Sequence, residues 1–145
     1  MPKIILVDDD IDDRELFSYA LKDSKVYSEI LLFECGHKLI KHLSDNEINS
    51  KIILFLDVNM PGISGLECLK IIRERFDSRS IFTVIFSTSS SSTDIDKAYS
   101  NGANCYLVKP FCLSRLHELI HKGIRIAKKN IKVQLPRESF VLNKP

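Results

Sequence analysis

Five short apolar segments, each separated from the next by a stretch with helical spacing, leave this chain few folds to choose from. Residues 3–7, 51–56 and 81–86 are nearly continuous runs of Ile, Val, Leu and Phe. Runs with so little polar alternation are the pattern of parallel strands covered on both faces. Residues 30–33 and 104–108 read as two weaker strands of the same kind. Between and after them, apolar residues recur at three- and four-residue spacing: Leu16, Phe17, Ala20 and Leu21; then Leu39, Ile40 and Leu43; then Leu66, Leu69, Ile72 and Phe76. A shorter fourth stripe holds Ile95, Ala98 and Tyr99, and a longer fifth runs from Leu113 through Leu116, Leu119, Ile120 and Ile124 to Ala127. Asp12 and Asp13 lead the first helix at its favourable dipole end, and Ser, Thr and Asp residues suited to capping precede the fourth. Strand and helix thus alternate five times in 145 residues, which suits one domain. The expectation is an α/β fold: a doubly wound, five-stranded parallel sheet with helices on both faces.

In such a sheet, ligands bind beyond the carboxyl ends of the strands, so those ends are where chemistry is sought. The first strand ends in Asp8-Asp9-Asp10 and the third in Asp57, followed by Val58-Asn59-Met60-Pro61-Gly62. The fourth runs into Ser87-Thr88 and the fifth into Lys109-Pro110. With strand order 2-1-3-4-5, all four ends lie side by side. Carboxylates so placed repel one another by several kcal/mol at intermediate dielectric unless a cation intervenes. An oxygen-rich anionic cluster suits Mg²⁺, which takes one or two carboxylates together with waters and phosphate oxygens. A neighbouring lysine supplies fixed positive charge for a phosphoryl oxygen, and a serine hydroxyl a hydrogen bond. Phosphoryl transfer needs chiefly positioning and charge neutralisation, and a carboxylate can serve as the covalent acceptor.

Taken together, Val7-Asp8-Asp9, Leu56-Asp57-Val58-Asn59-Met60-Pro61-Gly62, Ser87-Thr88 and Tyr106-Leu107-Val108-Lys109-Pro110 resemble the receiver domains of two-component response regulators. The resemblance spans about residues 3–128 and is closest to the stand-alone, chemotaxis-type regulators with a flavodoxin-like fold. It implies that Asp57 is the phosphoacceptor and that Asp8 and Asp9 bind Mg²⁺, with Asp57 and the backbone carbonyl of Asn59 completing the protein ligands. It implies that Lys109 pairs with the phosphoryl group and precedes a cis bond to Pro110, that Ser87 and Thr88 border the phosphoryl group, and that Tyr106 changes rotamer with Ser87. The implied donor is a sensor histidine kinase or a phosphotransfer protein. A downstream protein would read the face made by the fourth helix, fifth strand and fifth helix, about residues 94–128. The resemblance leaves room for a homodimer. Any catalysis is confined to self-phosphorylation and hydrolysis, so the chain is a signalling protein rather than an enzyme in the ordinary sense. Residues 1–129 are expected to form the receiver and 130–145 a C-terminal tail with no output domain.

Composition limits the remaining classes. A formal net charge of +2 argues against a strongly electrostatic nucleic-acid binder and against direct DNA binding. Lys122, Arg125, Lys128, Lys129 and Lys132 read as a solvated helix face running into a polar tail. No apolar run approaches the roughly 18 residues that span a bilayer, and the start enters strand-like sequence at once. The expectation is a cytoplasmic protein without membrane attachment. Cys35, Cys68, Cys105 and Cys112 lack zinc spacing and read as small core hydrophobes.

Rival motifs fall short. His117-Glu118-Leu119-Ile120-His121 matches a zinc-protease pattern, but it lies on an apolar-striped helix with no evident third ligand. Asp8, Asp10 and Asp12 mimic an EF-hand opening, yet its glycine and glutamate positions hold Asp13 and Tyr19. An aspartate-nucleophile phosphatase needs an acid two residues after the nucleophile, where this chain has Asn59. A flavodoxin-type cofactor carrier needs a phosphate cradle where three aspartates stand. The alternative kept open is a receiver-like interaction module that signals without phosphorylation.

Overall fold

The computed structural model describes residues 1–25, 27, 29–129 and 134–143; Lys132 lies outside them. Five strands, β1 (Lys3–Val7), β2 (Glu29–Phe33), β3 (Ile52–Leu56), β4 (Ile81–Ser87) and β5 (Cys105–Val108), alternate with α1 (Ile11–Leu21), α2 (Gly36–Asp45), α3 (Gly65–Arg75), α4 (Ser92–Ser100) and α5 (Leu113–Lys129). The sheet is parallel, as the apolar runs predict, and its order is β2-β1-β3-β4-β5.

Side-chain alternation divides the core into two layers. Ile5, Val7, Leu54, Leu56, Ile85 and Tyr106 pack towards α2, α3 and α4. Ile4, Leu6, Ile53, Phe55, Val84, Phe86 and Leu107 pack with Phe17 and Leu21 of α1 and with the stripe of α5. Phe17, Phe55 and Phe86 meet with ring centroids 5.0–6.0 Å apart, within the range of favourable aromatic pairs. The expected stripe of α1 is narrower than its spacing suggests, because Leu16 turns outward at 37% exposure.

Helix starts follow capping chemistry. The side chain of Asp10 accepts from the Asp12 amide, Ser64 from Glu67 and Ser91 from Asp94, each satisfying an amide that has no partner within its helix. The capping of α1 by Asp10 separates it from the acidic pair before it.

Three expectations are corrected. First, residues 134–143 are not a solvated tail: Phe140, Val141 and Leu142 are buried, and Val141 bridges Tyr106 in parallel fashion at the free edge of β5. Their apolar side chains complete both layers of the core. Second, no described peptide bond is cis, so Pro110 follows a trans bond. Trans is the intrinsically favoured isomer by about 0.5–1 kcal/mol, and Lys109 reaches its partners without the alternative. Third, Cys112 is exposed, unlike buried Cys68 and Cys105, because it stands in the loop before α5.

Candidate functional site

The strand ladder itself delivers the charged residues. Asp8 donates its amide to Phe33 O at 3.0 Å, Asp57 to Val7 O at 3.0 Å and Lys109 to Ser87 O at 2.8 Å. Each therefore continues the sheet by one residue past its strand. The register Val7–Leu56 sets the ends of β1 and β3 level, while β4, paired Leu56–Ile85, runs on to Ser87. Oxygens of Asp8, Asp9 and Asp57 lie within 4.8 Å of one another, with Asp8 fully buried, Asp57 8% exposed and Asp9 at the surface.

The loop after Asp57 must turn tightly to begin α3. Gly62 adopts a φ of 81°, open to glycine at little cost. At Gly65 a Cβ would lie 1.8 Å from the Asp57 carbonyl oxygen, so only glycine lets the helix start against the Asp57 backbone. The Gly65 amide donates to Val58 O at 2.8 Å. Asn59 is exposed two residues beyond Asp57.

Lys109 enters from β5. Its ammonium donates to Asp8 Oδ2 at 2.6 Å and Asp13 Oδ2 at 3.0 Å, and stands 3.9 Å from Asp57 Oδ1. It also lies 4.9 Å from the Phe86 ring centroid, a cation–π distance. Asp13 is a site residue that sequence reasoning missed, having credited it only to the helix dipole. Its position in the first turn of α1, five residues after Asp8, is the signal that would have placed it over the strand ends. Arg14 anchors the same corner by donating to Asp8 O at 2.7 Å.

The electrostatics are unbalanced. Burial is the main cause that pushes the Asp57 carboxyl up to about 7; Lys109 opposes it, while Asp8 and Asp9 add repulsion. Burial also raises Asp8, against its hydrogen bonds from Lys109 and the Asp10 amide. Burial pulls Lys109 down, but the surrounding acids outweigh it and hold its ammonium charged. A cluster of hard oxygen donors in which burial disfavours ionisation of Asp8 and Asp57 fits Mg²⁺.

Ser87 is buried at the end of β4, where its hydroxyl accepts the Ser89 amide at 3.1 Å. Tyr106 is also buried and donates its hydroxyl to Ser89 O at 2.8 Å; burial raises its pKa. The serine and tyrosine are thus joined through Ser89. Thr88 is exposed and faces the groove that holds Lys109. The two histidines of the zinc-protease pattern sit apart from the acids. His117 packs on Tyr19, ring centroids 5.8 Å apart, and His121 Nε2 lies 3.0 Å from Ala20 O. Among the described residues, Asp8, Asp9 and Asp57 are the group of three or more metal-ligating side chains.

Fold and site together define a doubly wound parallel domain with a cation-binding acidic centre at the carboxyl edge of its sheet. The chain belongs to the response regulator receiver domain family, whose model matches residues 4–121. It is similar to the response regulator Rcp1 of Synechocystis, with 31% identity over 125 residues, 82% of this chain and 84% of that protein. Among solved structures it resembles a phosphorylated cyanobacterial phytochrome response regulator, RcpA, with a TM-score of 0.73 and 31% identity, covering 88% of this chain and 94% of that one. It also resembles TrrA of Thermotoga maritima in complex with Mg²⁺ and BeF, with a TM-score of 0.66 and 29% identity, covering 85% and 99%.

Proposed function

We propose that Asp57 accepts a phosphoryl group from a histidine kinase or a phosphotransfer protein while Asp8, Asp9, Asp57 and the backbone carbonyl of Asn59 hold Mg²⁺. The observation that carries this reading is the placement of the Lys109 ammonium 3.9 Å from Asp57 Oδ1, beside three acids gathered within 4.8 Å. A bound Mg²⁺ would neutralise charge on the transferring phosphoryl oxygens. In the transfer, the phosphorus–nitrogen bond of a phosphohistidine breaks as an Asp57 carboxylate oxygen bonds to phosphorus, leaving a neutralised histidine and an acyl phosphate. Lys109 binds the phosphoryl oxygens, and the same site hydrolyses the acyl phosphate with water.

In this reading the donor lands beside Lys109. Beside Lys109 a groove of about 470 Å³ is lined by Leu16, Phe86, Phe111, Leu113 and Leu116. Phe111 is fully exposed and Leu113 and Leu16 are partly so, an apolar surface that a partner helix could cover. Phosphorylation adds about −1.5 to −2 of charge. Ser87 and Lys109 then move towards the new oxygens and shift the population of the α4–β5–α5 face that a downstream protein reads. No described helix is long and apolar enough to cross a membrane, and a cytoplasmic site of action goes with this reading.

The test is intact mass after incubation with Mg²⁺ and acetyl phosphate, beside Asp57→Asn and a chelator control. One added phosphoryl group, absent from both controls, is the expected result. No gain with acetyl phosphate or with any histidine kinase offered would turn the reading to a phosphorylation-independent interaction module.

A further inference from the structure

Residues 134–143 lie along the free edge of β5 and consume its hydrogen-bonding capacity. Tyr106 donates its amide to Phe140 O at 2.9 Å and accepts from the Leu142 amide at 2.8 Å; Asn104 O accepts from the Leu135 amide at 2.9 Å. The Asn143 side chain does the same for Val108, accepting its amide at 3.0 Å and donating to its carbonyl at 2.7 Å. An edge strand normally offers such groups to another chain; here they are taken internally.

The same segment touches every element of the proposed output face. Phe140 is fully buried against Tyr99 of α4, with centroids 5.1 Å apart at 86°, and against Tyr106 at 6.4 Å. Gln134 donates to Tyr99 O and Ala103 O at 2.7 and 2.8 Å, and Arg137 pairs with Asp96 of α4 at 2.8 Å. Lys122 of α5 donates to Leu142 O at 3.0 Å.

We infer that this strap is a built-in occupant of the α4–β5–α5 face, bound by strand addition to β5, and that phosphorylation of Asp57 releases it. The inference rests on the reading of Asp57 as phosphoacceptor. The connection runs through contacts already described: Ser87 accepts the Ser89 amide, Ser89 accepts the Tyr106 hydroxyl, and the Tyr106 ring and backbone both hold the strap. Drawing the Ser87 hydroxyl towards a phosphoryl oxygen removes the acceptor of Ser89 and displaces the loop before α4. The buried Tyr106 hydroxyl then loses its partner, which is costly unless the ring turns, and turning the ring unseats Phe140. The partner admitted is an extended protein segment that pairs with β5 and offers an aromatic side chain in place of Phe140.

Because the coupling is an equilibrium property it is reciprocal: weakening the strap strengthens binding of a phosphoryl analogue. The test is amide hydrogen exchange on the full chain, with and without Mg²⁺ and beryllofluoride. Intact mass with acetyl phosphate is measured in parallel. At rest, residues 134–143 and the β5 amides are protected. With the analogue, exchange over 134–143 accelerates about tenfold or more while β1 and β3 are unchanged, and Asp57→Asn shows no acceleration. Phe140→Ala frees the strap without analogue and tightens beryllofluoride binding about fivefold, the low end of allosteric coupling. Asn143→Ala, which removes only the two bonds to Val108, does so to a smaller degree and guards against misfolding of the first variant. Free exchange of the strap at rest would overturn the occupancy. Phosphoryl uptake on Asp57 with an unchanged strap would overturn the release and leave the reading of Asp57 standing. Absence of uptake would remove that reading and the release together.

Discussion

Two sequestered charge centres lie at opposite ends of this sheet, and they are built on opposite principles. At the amino ends of β4 and β5, Arg73 of α3 donates to four neutral acceptors: Gly102 O, Ile81 O, Thr83 Oγ1 and Asn104 Oδ1 at 2.8–3.2 Å. Burial pulls its pKa down to about 10, yet every contact fits a guanidinium fork. At the carboxyl ends, Asp8, Asp13 and Asp57 share the Lys109 ammonium at 2.6–3.9 Å, and Asp57 is pushed up to about 7. The Arg73 centre is complete and locks α3 to the sheet. The aspartate centre is incomplete and invites a cation. Sequestering charge is therefore not in itself the mark of function; leaving it under-neutralised is.

Breaking each centre in turn should separate these roles. The largest effect expected is on chemistry: Asp57→Asn lowers phosphoryl uptake about 100-fold or more, whereas Arg73→Ala leaves uptake per folded molecule within about threefold, both by intact mass. Stability should show the reverse order. Arg73→Ala strands several backbone and side-chain acceptors and costs about 2–4 kcal/mol in urea unfolding. Removing the buried acid has the opposite sign. The folded-state pKa of Asp57 is raised from 3.8 to about 7, so its contribution is fully present below about pH 4 and is lost as pH rises through about 7. Metal-free Asp57→Asn should therefore be more stable than the parent by about 1–2 kcal/mol at pH 8, with little difference near pH 4. The smallest effect tests a side chain outside both centres. His117 Nε2 is buried without a hydrogen-bond partner among the described residues. Replacing it in His117→Phe should raise the denaturation midpoint by the equivalent of about 0.5–1 kcal/mol and leave uptake unchanged.

Much of the site was legible because strand alternation and strand ends are local patterns. Apolar runs located β1, β3 and β4 to within a residue, and the polar residues that stop those runs, Asp8, Asp57 and Ser87, stand together at the sheet's carboxyl edge. What the sequence hid was set by tertiary contact. Asp13 looks like any acid in a first helical turn until α1 is laid over Lys109. Residues 134–143 carry too few apolar positions to announce a strand, and their burial comes from pairing with an edge 30 or more residues earlier. Asn143 exemplifies this: as a polar residue near the end of the chain it reads as solvated, yet it completes the β5 edge at Val108. The exposure of Cys112 and of Leu16 follows likewise from loop and helix orientation, which spacing alone does not fix.

The central claim, that the carboxyl-edge centre is completed by a divalent cation bound partly by ionised Asp57, is tested most directly by calorimetric titration with Mg²⁺ at pH 6 and pH 8. Tighter binding at pH 8 is expected, with proton release on binding at pH 6, and weaker, nearly pH-independent binding in Asp57→Asn. Equal affinity at both pH values, unchanged by that substitution, would contradict it.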